Sequence, residues 1–239
     1  MISLFSFIKS STVDVRKVVN SDDKKTIIYL NPYTYNFFRT RTHLIENVDG
    51  VRFDGFFMST FLKLFGVSVP ERQSFDMTSL APIIFNMAQK KQMRIYLCGG
   101  TESDVKSFTS IIQDRFRGVN VVGSCSGYFD DEDFDSIKEG IVKSNPDLVI
   151  LGLGGKKQEI IASKLAPFVD SHIFTCGAFI SQTTERISYY PEIIDRYNLR
   201  WAYRFWKEPH TIKRVVINYP IFVFNLLIDF FKYRIKKRQ

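Results

Sequence analysis

Short apolar runs alternate along this chain with longer stretches whose apolar positions recur every three or four residues. The runs at 25–30, 93–98, 119–122, 148–151 and 172–176 are rich in Val, Ile, Leu and aromatic residues and predict strands. Between them, 76–91, 103–117, 131–145 and 157–168 carry the period of amphipathic helices. Strand and helix in strict alternation predict an α/β fold, a mostly parallel Rossmann-like sheet with flanking helices. No internal repeat, low-complexity tract or Pro/Gly linker interrupts the pattern. The one boundary it suggests lies near residue 195, dividing an α/β core (1–195) from a basic, apolar, amphipathic C-terminal helical appendage (196–239).

Ligands of such sheets collect beyond the carboxyl ends of the strands, and there this chain is small and polar. Asn31 follows the first run, Gly99, Gly100 and Thr101 the second, Gly123, Gly127 and Tyr128 the third, and Gly177 the fifth. The fourth run is the richest: Leu148 to Leu151 lead into Gly152, Gly154, Gly155, Lys156, Lys157, Gln158 and Glu159. Glycine there permits a tight turn and close approach to a ligand, and the helix that follows offers unpaired N–H groups to an anion, with Gln158 and Glu159 in its first turn facing that anion or its sugar. An ordinary strand-to-helix turn explains the run equally well. Neither the spaced glycines of a dinucleotide site nor the Gly-Lys-Ser/Thr of a P-loop is present.

The 239 residues, 45% of them hydrophobic, suffice for a full core. Cys98, Cys125 and Cys176 have no metal-ligand spacing and end apolar runs, which suits reduced core thiols of a cytosolic protein. The start, Met1 to Ile8, lacks the basic opening and cleavage site of a secretion signal. Charge is what changes the picture. Of 33 Lys and Arg, ten fall in 200–239 against Glu208 and Asp229, so that segment carries the entire net +8 and the rest has 23 of each sign. Its apolar part, 219–231, is too short and interrupted to span a bilayer but suits lying on one. The basic cluster 232–238 adds attraction to anionic lipid of roughly 1 kcal/mol per charge. The competing expectation is a helix packed on the core with a solvated basic end. A nucleic-acid surface would leave the apolar half of this tail and the glycine turns without a use.

Two acids stand where chemistry or capping needs one. Asp54, between the short apolar run 51–53 and an amphipathic stretch, suits a general base and equally an Asp-Gly turn. Pro70, Glu71, Arg72 and Asp76 precede the next helix, Arg72 suited to phosphate and Asp76 to capping. The run Asp130 to Asp135 contains D-x-D spacing, yet acids opening a helix complement its dipole with no metal.

In order and spacing these blocks resemble the WecG/TagA/CpsF glycosyltransferases. Asp54-Gly55, Pro70 to Arg72 with Asp76, Cys98 to Gly100, Gly127 to Phe129, and Gly152 to Glu159 carry the likeness. So do Arg186, Trp201, Tyr203, Arg204, Glu208, Pro209, Arg214 and Asn218 to Pro220, over about 27–222 in all. The resemblance implies inverting transfer from a UDP-sugar, of the N-acetylmannosamine type or a related hexose, to a polyprenyl-diphosphate-linked saccharide in cell-surface polysaccharide synthesis. It implies Asp54 as the base and no metal or other cofactor. Asn31, Arg72, Asp76, Gly99, Gly100, Gly127, Tyr128, Gly152, Gly154, Gln158 and Glu159 would contact substrate, and Arg204 and Arg214 the leaving diphosphate. The implied partners are donor, lipid-linked acceptor and an anionic membrane surface at 219–238, with no nucleic acid. A homo-oligomer on the inner face of the cell membrane is compatible. The chain departs from the family pattern at Tyr29, Lys156, Ile187-Ser188, Arg200, His210 and Thr211. A nucleotide-sugar-binding protein without catalysis would keep the cleft and need no base at Asp54.

Overall fold

The computed structural model describes residues 3–21, 23–70, 74–186, 194, 203 and 210–237. Its strands are β1 (Thr26–Leu30), β2 (Gly50–Phe53), β3 (Arg94–Gly99), β4 (Asn120–Cys125), β5 (Leu148–Gly152) and β6 (His172–Thr175). All are parallel, in the order β2-β1-β6-β5-β3-β4. Every residue of β1 and β6, and β5 as far as Leu151, is buried. Helices cover both faces, which is why these strands read as unbroken apolar runs and not as alternating ones.

One face packs α2 (Val15–Asn20), α5 (Leu80–Lys90), α6 (Glu102–Arg115) and α9 (Phe179–Glu185) against Ile27, Ile95, Leu97, Ile150 and Phe174. The other packs α1 (Leu4–Ser11), α3 (Pro32–Phe38), α4 (Phe56–Leu64), α7 (Phe134–Ser144) and α8 (Lys157–Leu165) against Ile28, Leu30, Val51, Val149 and Ile173. The five expected strands and four expected helices all form, within a few residues of their expected bounds. Strand β2 and helices α1, α2, α3 and α9 are additions. β2 is hard to see in sequence because it is four residues long and interrupted by Arg52, which nevertheless lies inside, its guanidinium donating to Val13 O at 2.9 Å. Cys98 and Cys125 are register partners on β3 and β4, and the Cys125 thiol donates to Cys98 Sγ at 2.7 Å.

The C-terminal helix α10 (His210–Lys236) lies against α1, α3 and α4. Tyr219, Phe222, Leu226, Asp229 and Tyr233 recur at three- and four-residue spacing and form its inner stripe. Phe222 meets Tyr35 edge-on at 5.1 Å, Tyr219 stacks near Phe57 at 4.7 Å, and Tyr233 meets Phe5 at 5.5 Å. Polar contacts fix the register: Tyr35 Oη and Arg39 Nε both donate to Asp229 Oδ2, at 2.8 and 2.7 Å. Asn36 donates to Asn218 O and accepts from Asn225 Nδ2. A second, opposite stripe, Ile217, Ile221, Phe224, Phe231 and Ile235, is apolar and exposed. The helix packed on the core is thus what forms, and its outer side stays apolar and exposed.

The apolar run 219–231 is short, but the helix containing it is not. Val215–Lys236 is long and apolar enough to cross a membrane, by length and composition. Its inner side is nevertheless committed to the α/β body, and crossing would take the Arg39–Asp229 pair into hydrocarbon. The expected boundary near 195 adjoins residues outside those described, as do Arg72 and Arg204.

Asp229 is nine-tenths buried and holds two donors. Asp229→Ala strands both, and is expected to lower the free energy of unfolding in urea by about 2 to 3 kcal/mol. It should also speed proteolysis within α10.

Candidate active site

Helices leave adjacent strands toward opposite faces at the middle of the sheet. α8 follows β5 to one face, while α9 follows β6 and α6 follows β3 to the other. Such divergence opens a crevice at the carboxyl ends of the strands, and among the described residues Asn31, Asp54, Gly99, Gly100, Gly152 and Gly154 lie at or just beyond those ends.

Asp54 N donates to Leu30 O at 2.8 Å, which extends the β1–β2 ladder by one residue and sets Asp54 beside Asn31. Asp54 is exposed, and Gly55 after it has φ 89°. Asn31 caps α3: its Oδ1 accepts from Tyr33 N and Thr34 N at 3.0 Å each, and the Thr34 hydroxyl closes the box by accepting from Asn31 N. Asp76 Oδ1 accepts from Thr78 N and Oγ1, the turn that leads into α5.

Beneath these carboxylates is Tyr29, which sequence reasoning noticed only as a departure. Burial holds its phenol well above the ordinary value. Asp54 and Asp76 push it the same way, and Arg52 opposes them. All three therefore lie within electrostatic reach of one phenol. Tyr29 and Arg52 are register partners on β1 and β2.

The glycines divide into two kinds. A Cβ on Gly99 would stand 2.7 Å from Gly152 O, one on Gly127 3.0 Å from Gly99 Cα, and one on Gly152 3.1 Å from Gly177 O. These glycines let neighbouring strand ends pack backbone on backbone. Gly100 likewise abuts Asp104 and Ser181, and its carbonyl accepts from Gly127 N and Ser126 Oγ. Gly154 differs. With φ 77° and nothing within 4 Å of its would-be Cβ, it has open space around it, as do Gly55 and Gly177, both also at positive φ. Gly155 touches Thr34, a Cβ there lying 3.1 Å from Thr34 Cγ2, so the β5 turn abuts the cap that Asn31 makes.

Lysines tie the turns together. Lys156 Nζ lies over Tyr33 and Phe37 of α3, 4.2 and 4.6 Å from the ring centroids. Lys157 Nζ donates to the carbonyls of Gly127 and Phe129, holding the loop after β4 with Tyr128 exposed beside it. Neither lysine tether was foreseen, since sequence alone cannot show which carbonyls a lysine reaches.

Gln158 and Glu159 turn inward instead of facing a ligand. Gln158, 4% exposed, accepts from Gly177 N through Oε1 at 2.9 Å and donates from Nε2 to Glu159 Oε1 at 2.8 Å. It thus lies across the crevice between β5 and β6. Glu159 has no exposed surface, and its Oε2 accepts from Lys156 N at 2.6 Å. The apolar faces of α8, buried through Ile161, Ala162 and Leu165, draw this first turn inward with them.

In the acidic run, Asp133 Oδ2 accepts from Asp130 N and Asp135 pairs with Lys138. Among the described residues no group of three or more His, Cys, Asp or Glu is placed to hold a metal. Arg214 belongs to α10, and its side chain, like Arg72 and Arg204, lies outside what is described.

A doubly covered parallel sheet with an acid, an asparagine and a glycine turn at its carboxyl ends belongs to the class of α/β proteins whose ligands collect at that edge. The family is settled by comparison: residues 8–237 match the Glycosyl transferase WecG/TagA/CpsF family, and the chain belongs to it. It is 30% identical over 205 residues to the UDP-Gal:alpha-D-GlcNAc-diphosphoundecaprenol beta-1,4-galactosyltransferase of Shigella boydii, covering 85% of this chain and 86% of that one. It is 27% identical over 134 residues to the N-acetylglucosaminyldiphosphoundecaprenol N-acetyl-beta-D-mannosaminyltransferase of Bacillus subtilis (strain 168), covering 56% and 52%. Both relatives are named for transfer to undecaprenyl-diphosphate-linked GlcNAc.

Burial raises the Glu159 carboxyl from 4.5 to about 7, against the lowering effect of its hydrogen bonds from Gln158 and Lys156 N. Between those values the folded chain keeps a proton that the unfolded chain has lost, so stability falls as pH rises through the window and levels off above it. Glu159→Gln removes this dependence. Relative to the parent, its unfolding free energy should gain about 3 kcal/mol between pH 4 and pH 8 in denaturant titrations.

Proposed function

We propose that this chain is an inverting hexosyltransferase that moves a sugar from a UDP-sugar to a polyprenyl-diphosphate-linked saccharide at a membrane surface. The observation that carries the reading is the exposed Asp54 beside Asn31, with the open Gly154 turn abutting the same α3 cap through Gly155 and Thr34. Acid, amide and glycine turn thereby share one rim.

The acceptor hydroxyl lies at Asp54, whose carboxylate takes its proton as the oxygen attacks the anomeric carbon. The bond to UDP breaks on the opposite side, and its electron pair leaves on the diphosphate. Attack opposite the leaving group inverts that carbon. Asn31 Nδ2 and Asp76 serve the sugar and acceptor hydroxyls. The Gly152–Gly154 turn receives the donor, and the loops at Gly99, Gly100, Gly127 and Tyr128 bound it. Arg204 and Arg214 meet the diphosphate charge and Arg72 lines the substrate pocket, as the family likeness implies. Gln158 supports the turn from within. No step in this scheme draws on a metal or cofactor.

The outer stripe of α10 supports a place at the bilayer, where the acceptor's lipid resides. Its apolar side chains suit the interface, and Lys232, Arg234, Lys236 and Lys237 suit anionic headgroups. The enzyme then sits on the cytoplasmic face as a peripheral protein. UDP-galactose is the first donor to test, because the relative matched over most of its length carries that name, and UDP-N-acetylmannosamine the second.

With GlcNAc-diphosphopolyprenol as acceptor, mass spectrometry should show addition of one sugar residue from one of these donors, a hexose from UDP-galactose or an N-acetylhexosamine from UDP-N-acetylmannosamine. Asp54→Asn is expected to lower the turnover at least 100-fold while leaving UDP-sugar affinity within about threefold by calorimetry. Unchanged turnover would remove Asp54 from the role of base. Phe224→Ser combined with Phe231→Ser should at least halve co-sedimentation with anionic vesicles and leave thermal stability nearly unaltered, since both rings are exposed.

A further inference from the structure

A glutamate at the third position of a helix commonly reaches back to the N–H of the capping residue, and it does so at the surface. Glu159 makes that bond with no exposed surface at all. A buried carboxylate costs stability that a neutral side chain of the same size would not, so capping alone is a poor account of it. Its surroundings supply a better one.

Both of its oxygens are used, on two different targets. Oε2 accepts from the backbone of Lys156, which has φ 76° and ψ −55°, a conformation rare for any residue with a side chain. Oε1 accepts from Gln158 Nε2. A carboxylate only accepts, so the amide of Gln158 has its nitrogen turned to Glu159 and its oxygen to Gly177 N. The result is a chain of bonds, Lys156 to Glu159 to Gln158 to Gly177, that joins the β5 turn to the β6 turn across the crevice. Fixing Lys156 also directs its side chain onto Tyr33 and Phe37 of α3, the helix that Asn31 caps.

We propose that Glu159 is a positioning residue for sugar transfer, acting through the Gln158 amide and the Lys156 backbone to hold the donor turn at a fixed spacing from the β6 turn and from Asn31. This rests on the glycosyl-transfer reading of the rim. Glu159 touches no substrate; it sets the geometry of the groups that do. Its acceptor-only chemistry, complete once the proton is lost above about pH 7, is the essential property, because a glutamine in its place offers an N–H toward one of two existing donors and frees the Gln158 amide to reverse.

Glu159→Gln preserves size and removes a buried charge, so it tests position more than folding. It is expected to lower kcat at least tenfold and to change KM for the UDP-sugar by less than threefold, the groups present being the same and their alignment lost. Two further variants test the route. Gln158→Ala combined with Glu159→Gln should lose far less than the product of the single losses, because both break one chain of bonds. Lys156→Gly, which adopts the turn without help, should restore at least threefold of the activity lost in Glu159→Gln. Multiplicative losses without glycine rescue, or an unaltered kcat in Glu159→Gln, would overturn the proposal. If the parent protein transfers no sugar from either donor, the glycosyl-transfer reading fails on that result alone. The positioning claim is then decided by the Gln158 side-chain amide in nitrogen-15 spectra. Protection from hydrogen exchange in the parent and its loss in Glu159→Gln support the claim, and equal exchange in both overturns it.

Discussion

At the carboxyl ends of β3, β5 and β6 backbone meets backbone with no room for a side chain between. Gly99 faces Gly152, Gly152 faces the carbonyl of Gly177, and Gly127 closes on Gly99 from the loop after β4. Any methyl group introduced there would stand about 3 Å or less from main-chain atoms, and main chain cannot yield as a flexible side chain does. This close approach draws four loops into one continuous rim. The Gln158 bridge, the Lys157 tether and the contact between Gly155 and Thr34 all presuppose it.

The sequence analysis recovers the sheet well because β1, β3, β5 and β6 are buried on both faces and so are written as apolar runs. β2 escapes it because Arg52, a charged residue in a four-residue strand, reads as surface. The short helices α1 and α2 escape for want of length, and α3 because Asn31 and Pro32 read as a strand end with no following period. At the site, the pattern of glycines and acids locates the rim but not the direction of each side chain. Gln158 and Glu159 occupy the first turn of α8 as expected and face the interior, since the rotation of that helix is set by Ile161, Ala162 and Leu165 further along it. Which carbonyls Lys157 reaches, and that Lys156 rests on α3 rings, depend on loops far apart in sequence.

Several features near the rim run against stability. Lys156 with a positive φ, a carboxylate without access to water and an arginine buried beside a tyrosine are each unfavourable taken singly. They occur together around one crevice, where the surrounding glycine packing and helix caps are dense enough to hold them. A sequence optimised for folding alone would have a glycine at 156 and a neutral residue at 159.

The two opposed apolar stripes of α10 have a bearing on how the molecule behaves in water. The inner stripe is satisfied by α1, α3 and α4, so the helix stays folded in water, and the outer one meets solvent along several turns. Colloidal behaviour is then governed by that outer strip and not by the net charge of +8. Any detergent present during purification would meet that strip first, because it is the apolar surface that α10 leaves open.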